Sequence, residues 1–135
     1  MPSAEDSIAI VEHDTAVRQS FERLLWAHDY ATSAFTSAED FLASSIRHRA
    51  AALILDMQLR GMSGLALGHY LLRVGSKIPI VFVTDNDDEA TRGEALALGC
   101  VDCLQKPCEL SRLIPALDRA VYRRERRKSF APPLL

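Results

Sequence analysis

Four points in the sequence place reactive side chains directly behind a short apolar run. "IAIV" leads into Glu12, His13 and Asp14, and "LIL" into Asp56. "IPIVFV" leads into Thr84 and Asp85, and "CVDCLQ" into Lys106 and Pro107. One reaction suits this set of acids, hydroxyl and lysine. The Asp56 carboxylate can attack a phosphoryl group and form an acyl phosphate. Catalysis of such a transfer consists mostly of positioning and of neutralising charge on the equatorial oxygens. A divalent cation held by nearby acids would screen the repulsion between Asp56 and the incoming phosphate. Thr84 can donate a hydrogen bond to one oxygen, and Lys106 can bind another as a point charge.

That chemistry requires the four points to meet, and the pattern of the chain says how. Strand-length apolar runs at Ser7–Val11, Ala31–Phe35, Ala51–Asp56, Ile78–Thr84 and Val101–Gln105 alternate with segments of helical period. Val17, Phe21, Leu24 and Leu25 fall on one face of a first helix. Ser37 and Asp40 resemble a capping box opening the second, with Asp in place of the usual Glu. Leu67, Leu71 and Val74 form one stripe of a third helix that stops at Gly75. The fourth runs from about Asp87 to Leu98 and stops at Gly99. The last carries Leu110, Leu113, Ile114, Leu117 and Val121 on one face, with Pro115 expected to remove a hydrogen bond and bend it. "AALIL" and "IPIVFV" are apolar without alternation, as strands covered on both faces are. The sequence therefore predicts an α/β fold, a parallel sheet between two helical layers with right-handed crossovers. In such a sheet ligands bind beyond the carboxyl ends of the strands, which is where the reactive residues fall.

The bulk numbers fit. A chain of 135 residues, 48% hydrophobic and 25% charged, is most economically a single globular domain with its own core. A formal charge of −2 gives no overall bias toward nucleic acid or an anionic membrane. No apolar run reaches the length of a membrane span. The start "MPSAEDS" is polar and acidic, unlike a secretory signal, and the 3 cysteines do not make a disulfide framework, so a cytoplasmic location is expected.

"IAIVEHDTAVR", "LILDMQLRGMSG", "IPIVFVTDND" and "CVDCLQKP" together resemble the signature blocks of the response-regulator receiver domain, the CheY-like module of two-component signalling. The resemblance covers residues 7–121, leaving 122–135 as a basic helix end and linker-like tail. It implies a (βα)₅ flavodoxin-like, doubly wound sheet of five parallel strands in a signalling module rather than a metabolic enzyme. Carried over residue by residue, Asp56 is the phosphoacceptor, Thr84 the switch hydroxyl and Lys106 the phosphate-binding lysine, with a cis Lys106–Pro107 bond. Glu12, the residue at 13 and Asp56 form the acidic metal pocket, together with the backbone carbonyl of Gln58. The implied partners are a sensor histidine kinase, an output domain if the chain is part of a longer regulator, and a second copy through the fourth helix, fifth strand and fifth helix. No membrane is implied.

Three positions depart from that pattern. His13 stands where the family has a second acid. Two unit charges about 4 Å apart are worth up to ~4 kcal/mol at an effective dielectric near 20, so removing one negative charge from a divalent-metal site is not small. Magnesium, which prefers oxygen ligands, is therefore expected to bind weakly, with manganese as the alternative. Asp14 is adjacent, but alternation along an extended chain points it elsewhere. Arg60 replaces the proline usual in the turn after the phosphoacceptor and loosens it. Cys103 occupies the switch-aromatic position, where a thiol cannot report by ring rotation. These departures keep open a second reading, a phosphorylation-independent pseudo-receiver that acts as a protein–protein docking module.

Other candidates carry less. Cys100, Cys103 and Cys108 lack a fourth ligand for zinc and do not open a helix as a thioredoxin-like pair does, so they read as small buried hydrophobes. Arg119, Arg123, Arg124, Arg126, Arg127 and Lys128 read as a solvated helix end, where the helix dipole favours cations. His28, His48 and His69 read as surface or helix-end residues.

Overall fold

The computed structural model describes residues 7–86, 88–107 and 109–129. In chain order the elements are β1 (Ile8–Val11), α1 (Thr15–Ala27), β2 (Thr32–Phe35), α2 (Ala38–Ala43), β3 (Ala52–Asp56), α3 (Gly64–Arg73), β4 (Ile80–Thr84), α4 (Glu89–Ala97), β5 (Asp102–Gln105) and α5 (Leu113–Ser129). The five strands make one parallel sheet in the order β2-β1-β3-β4-β5. Every residue of β1, β3 and β4 is buried, whereas β2 and β5 at the edges are partly open. This is why the central strands read as unbroken apolar runs.

β1, β3, β4 and β5 alternate their side chains between two cores. Ile8, Ile10, Ile54, Val81 and Leu104 pack with Phe21 and Leu25 of α1 and with Leu113 and Leu117 of α5. Val11, Leu53, Leu55, Phe82 and Cys103 pack with Phe41 of α2, Leu67 and Leu71 of α3 and Ala95 of α4. Full burial of one such Leu, Ile or Phe contributes roughly 1.5–3 kcal/mol.

The helix starts follow the side chains available. Asp14 caps α1 by accepting from the Val17 N–H, and Ser63 caps α3 by accepting from Ala66. Asp88 caps α4, one residue after the predicted start at Asp87, which lies outside the described residues. The capping box at α2 forms only in half. Ser37 accepts from the Asp40 N–H, but the Asp40 carboxylate takes the Thr36 hydroxyl.

Two expectations fail at helix ends. Val74 is the C-cap of α3 and 52% exposed, because the chain leaves the helical stripe there before Gly75 at φ +78°. Pro115 removes no bond from the interior of α5. A short 3₁₀ turn, Leu110–Arg112, precedes Leu113, so the proline lies in the first α-helical turn, where N–H groups have no intrahelical partner anyway. The helix continues to Ser129, so the part of the tail up to that residue is helical.

Candidate functional site

The strand order reverses between β1 and β3, whose ends carry Glu12, His13 and Asp56. Parallel register sets the ends side by side: Val11 pairs with Leu55, Asp56 with Val83, and Thr84 with Gln105, the residue before Lys106. Topology thus brings together residues up to 94 positions apart.

Glu12 is fully buried. Its Oε1 accepts from Lys106 Nζ at 2.7 Å and its Oε2 from the Asp14 N–H at 3.2 Å. Lys106 Nζ also stands 3.8 Å from Asp56 Oδ1 and 3.9 Å from Oδ1 of the exposed Asp85. Burial opposes the ammonium form, but the Glu12 hydrogen bond and the fields of Asp56, Glu12 and Asp85 outweigh it, so the lysine is held above its ordinary value. The Lys106–Pro107 bond is cis.

Asp56 is 1% exposed. Its Oδ1 accepts from the Gln58 N–H at 3.0 Å. Its Oδ2 is buried without a hydrogen-bond partner. His13 Nδ1 lies 3.3 Å from that oxygen, within range of its charge but without the alignment of a hydrogen bond. Burial, followed by the neighbouring Glu12 carboxyl, pushes the Asp56 acid up to about 6.

The His13 side chain is 41% exposed and completes the pocket wall, with Nδ1 3.4 Å from Glu12 Oε2. One donor atom each from Glu12, His13 and Asp56 lie within 4.8 Å of one another. With the open Oδ2 of Asp56, this set fits a divalent cation, and its imidazole favours manganese and later transition metals relative to magnesium. Asp14 takes no part in that set, since it caps α1.

Thr84 is buried, and its hydroxyl is engaged in its own loop. It donates to the Asn86 carbonyl and accepts from the Asn86 N–H, both at 3.1 Å. Cys103 is buried on the α4 side of the sheet, in register with Phe82, and packs as a small hydrophobe. Cys100 is half-buried, its thiol pushed up to about 11 by burial and then by Cys103 and Asp102. Cys108 lies outside the described residues. His28, His48 and His69 are all exposed, away from the pocket residues.

Three supporting residues escaped the sequence reading. Arg18 Nη1 donates to the Glu12 carbonyl at 2.9 Å and reaches the His13 carbonyl at 3.5 Å, tying the β1 end to α1. Glu39 Oε2 accepts from the Met62 N–H at 2.9 Å, bracing the turn that contains Arg60. Gly64 opens α3 directly against the end of β3. A Cβ there would lie 2.0 Å from the Asp56 carbonyl oxygen, and its N–H donates to the Met57 carbonyl at 3.0 Å. A glycine at the first position of a helix already capped by Ser63 was the available signal.

The family model for the response regulator receiver domain matches residues 8–118. The tetrathionate response regulatory protein TtrR of Salmonella typhimurium is 33% identical over 115 residues, covering 85% of this chain and 56% of that protein. Nodulation protein W of Bradyrhizobium diazoefficiens is 32% identical over 126 residues, covering 93% of this chain and 56% of that protein. The chain thus spans about half the length of these curated relatives. Among solved structures, the response regulator StyR superposes with a TM-score of 0.83 at 29% identity, covering 91% of this chain and 62% of that one. FixJ-N superposes with a TM-score of 0.77 at 28% identity, covering 99% and 100%.

Proposed function

Since the chain belongs to the response-regulator receiver-domain family, a class of signalling modules, we propose that it accepts a phosphoryl group on Asp56 from the phosphohistidine of a sensor kinase. The observation that carries this reading is Asp56 itself, buried at the strand end with Lys106 beside one carboxylate oxygen and no hydrogen bond on the other. In the transfer, an Asp56 oxygen forms the new O–P bond as the donor's N–P bond breaks. The electron pair returns to the donor imidazole.

Lys106 neutralises an equatorial oxygen, and Thr84 exchanges its Asn86 contacts for a phosphoryl oxygen. A divalent cation on Glu12, His13, Asp56 and the Gln58 carbonyl would screen the charge that Asp56 and the phosphate share. His13 makes that cation manganese in preference to magnesium, which binds weakly. The switch works through Thr84 alone, because Cys103 is a packed thiol where a mobile ring would be needed.

The output face is built by α4, β5 and α5. Leu96 and Tyr122 are exposed there, and Arg112 and Arg119 both pair with Asp102. It would meet a second copy or an output domain in a longer, cytoplasmic regulator. Among the described residues no helix is long and apolar enough to cross a membrane.

The test is incubation with acetyl phosphate or beryllofluoride, in magnesium and then in manganese, followed by intact mass and ¹⁹F NMR. An adduct that Asp56→Asn abolishes supports the proposal. No adduct with either metal would leave a docking module whose state phosphate does not set.

A further inference from the structure

A second recess lies at the opposite end of the sheet. It is bounded by the turn before β3, the C-terminal end of α3, the segment entering β4, and Arg124 of α5, and it encloses about 330 Å³. That volume is at the lower end of small-molecule sites.

Its wall carries Arg47, His48, Lys77 and Arg124, and no Asp or Glu among the described residues that line it. Arg124 is 14% exposed, and its Nη1 is buried without a hydrogen-bond acceptor. Glu125 Oε1 stands 3.6 Å off and is itself on the surface. A guanidinium cannot discharge by losing a proton, so Arg124 keeps its positive charge at the wall of the recess, where it attracts an anion. Ala50, Leu71 and Ile78 supply an apolar floor beneath the cations.

We propose that this recess is a binding site for a small organic anion, with a carboxylate or phosphoryl head on Arg124 and Arg47 and an apolar body against Ala50 and Ile78. The site is independent of phosphoryl transfer, since its residues lie at the amino ends of β3 and β4 and Asp56 at the carboxyl end. Such a ligand would join the end of α5 to the end of α3, next to the tail that would lead to an output domain.

The experiment is a ¹H–¹⁵N NMR titration of the full chain in metal-free buffer with phenylphosphonate, which cannot transfer a phosphoryl group. Inorganic phosphate and benzyl alcohol separate the head from the body. The expected result is saturable shifts at residues 47–50, 74–79 and 124, at least tenfold tighter for phenylphosphonate than for either control. Arg124→Gln weakens it about tenfold while the melting temperature holds or rises. Arg47→Gln, further from the core, gives the same direction should Arg124→Gln fold poorly. Shifts centred on Asp56 and Lys106, equal binding of benzyl alcohol, or an adventitious response to phosphate alone would each overturn the proposal.

Discussion

Replacing His13 by aspartate tests the metal pocket most directly. His13 Nδ1 stands 3.3 Å from Asp56 Oδ2 and 3.4 Å from Glu12 Oε2, so a carboxylate there would face any cation those acids hold. One extra unit charge about 4 Å away is worth up to ~4 kcal/mol for each unit of cation charge at an effective dielectric near 20, and so up to ~8 kcal/mol for magnesium. The side chain at 13 is 41% exposed, and solvent screening cuts this to about 1–2 kcal/mol. Magnesium should therefore bind roughly tenfold more tightly to His13→Asp, and the proposed preference for manganese should shrink. The same charge has the opposite effect without metal. Three carboxylates would then share Lys106, so the variant should be less stable than the native chain in chelator and regain that loss as magnesium is added. Isothermal titration gives the affinities, and thermal melts at stepped magnesium give the crossover. Unchanged magnesium affinity, or a variant more stable in chelator, would refute the reasoning.

Three further outcomes follow from the same geometry. Asp56 titrates near 6 in the folded chain against an ordinary 3.8, so the native state binds the extra proton between those values. Stability in chelator should then fall as pH rises through that window, by about 1–3 kcal/mol, and the slope should vanish in Asp56→Asn; urea unfolding at stepped pH reads it. Lys106→Met strips the cation from buried Glu12 and Asp56 and should cost about 3 kcal/mol at neutral pH, with part of it recovered near pH 5, where Asp56 protonates; the same unfolding series checks it. Gly64→Ala drives a Cβ into the Asp56 carbonyl and should cost about 3 kcal/mol in a thermal melt and slow adduct formation at Asp56, whereas Gly93→Ala, which meets nothing in the middle of α4, should raise the melt slightly and leave adduct formation unchanged.

The sequence disclosed those parts of the molecule that repeat with a short period. Unbroken apolar runs marked β1, β3 and β4, and helical stripes marked α1, α3 and α5, because burial on one or both faces writes itself into neighbouring residues. Once the strands are parallel, their ends share one rim, so residues as distant as Glu12 and Lys106 were assembled from local signals alone. Contacts that serve one position leave no such period. Glu39 reaches the Met62 N–H across 23 residues, and Gly64 is needed because a carbonyl happens to pass beneath it.

The same distinction explains the basic end of α5. As a run of like charges, Arg119, Arg123, Arg124, Arg126, Arg127 and Lys128 read together as a solvated helix end; the structure describes the side chains of the first four. A helix turns each by about 100° from its neighbour, so one member of a run can be driven inward while the rest stay in water. Arg119 pairs with Asp102 of β5, Arg126 lies over the exposed Tyr122 ring, and Arg124 alone among these four lines the recess behind α3. Charge runs on helices should therefore be resolved residue by residue against the face each one occupies. Here that step separates Arg119, held by Asp102, from Arg124, at the edge of the recess, although the two stand less than two turns apart on the same helix.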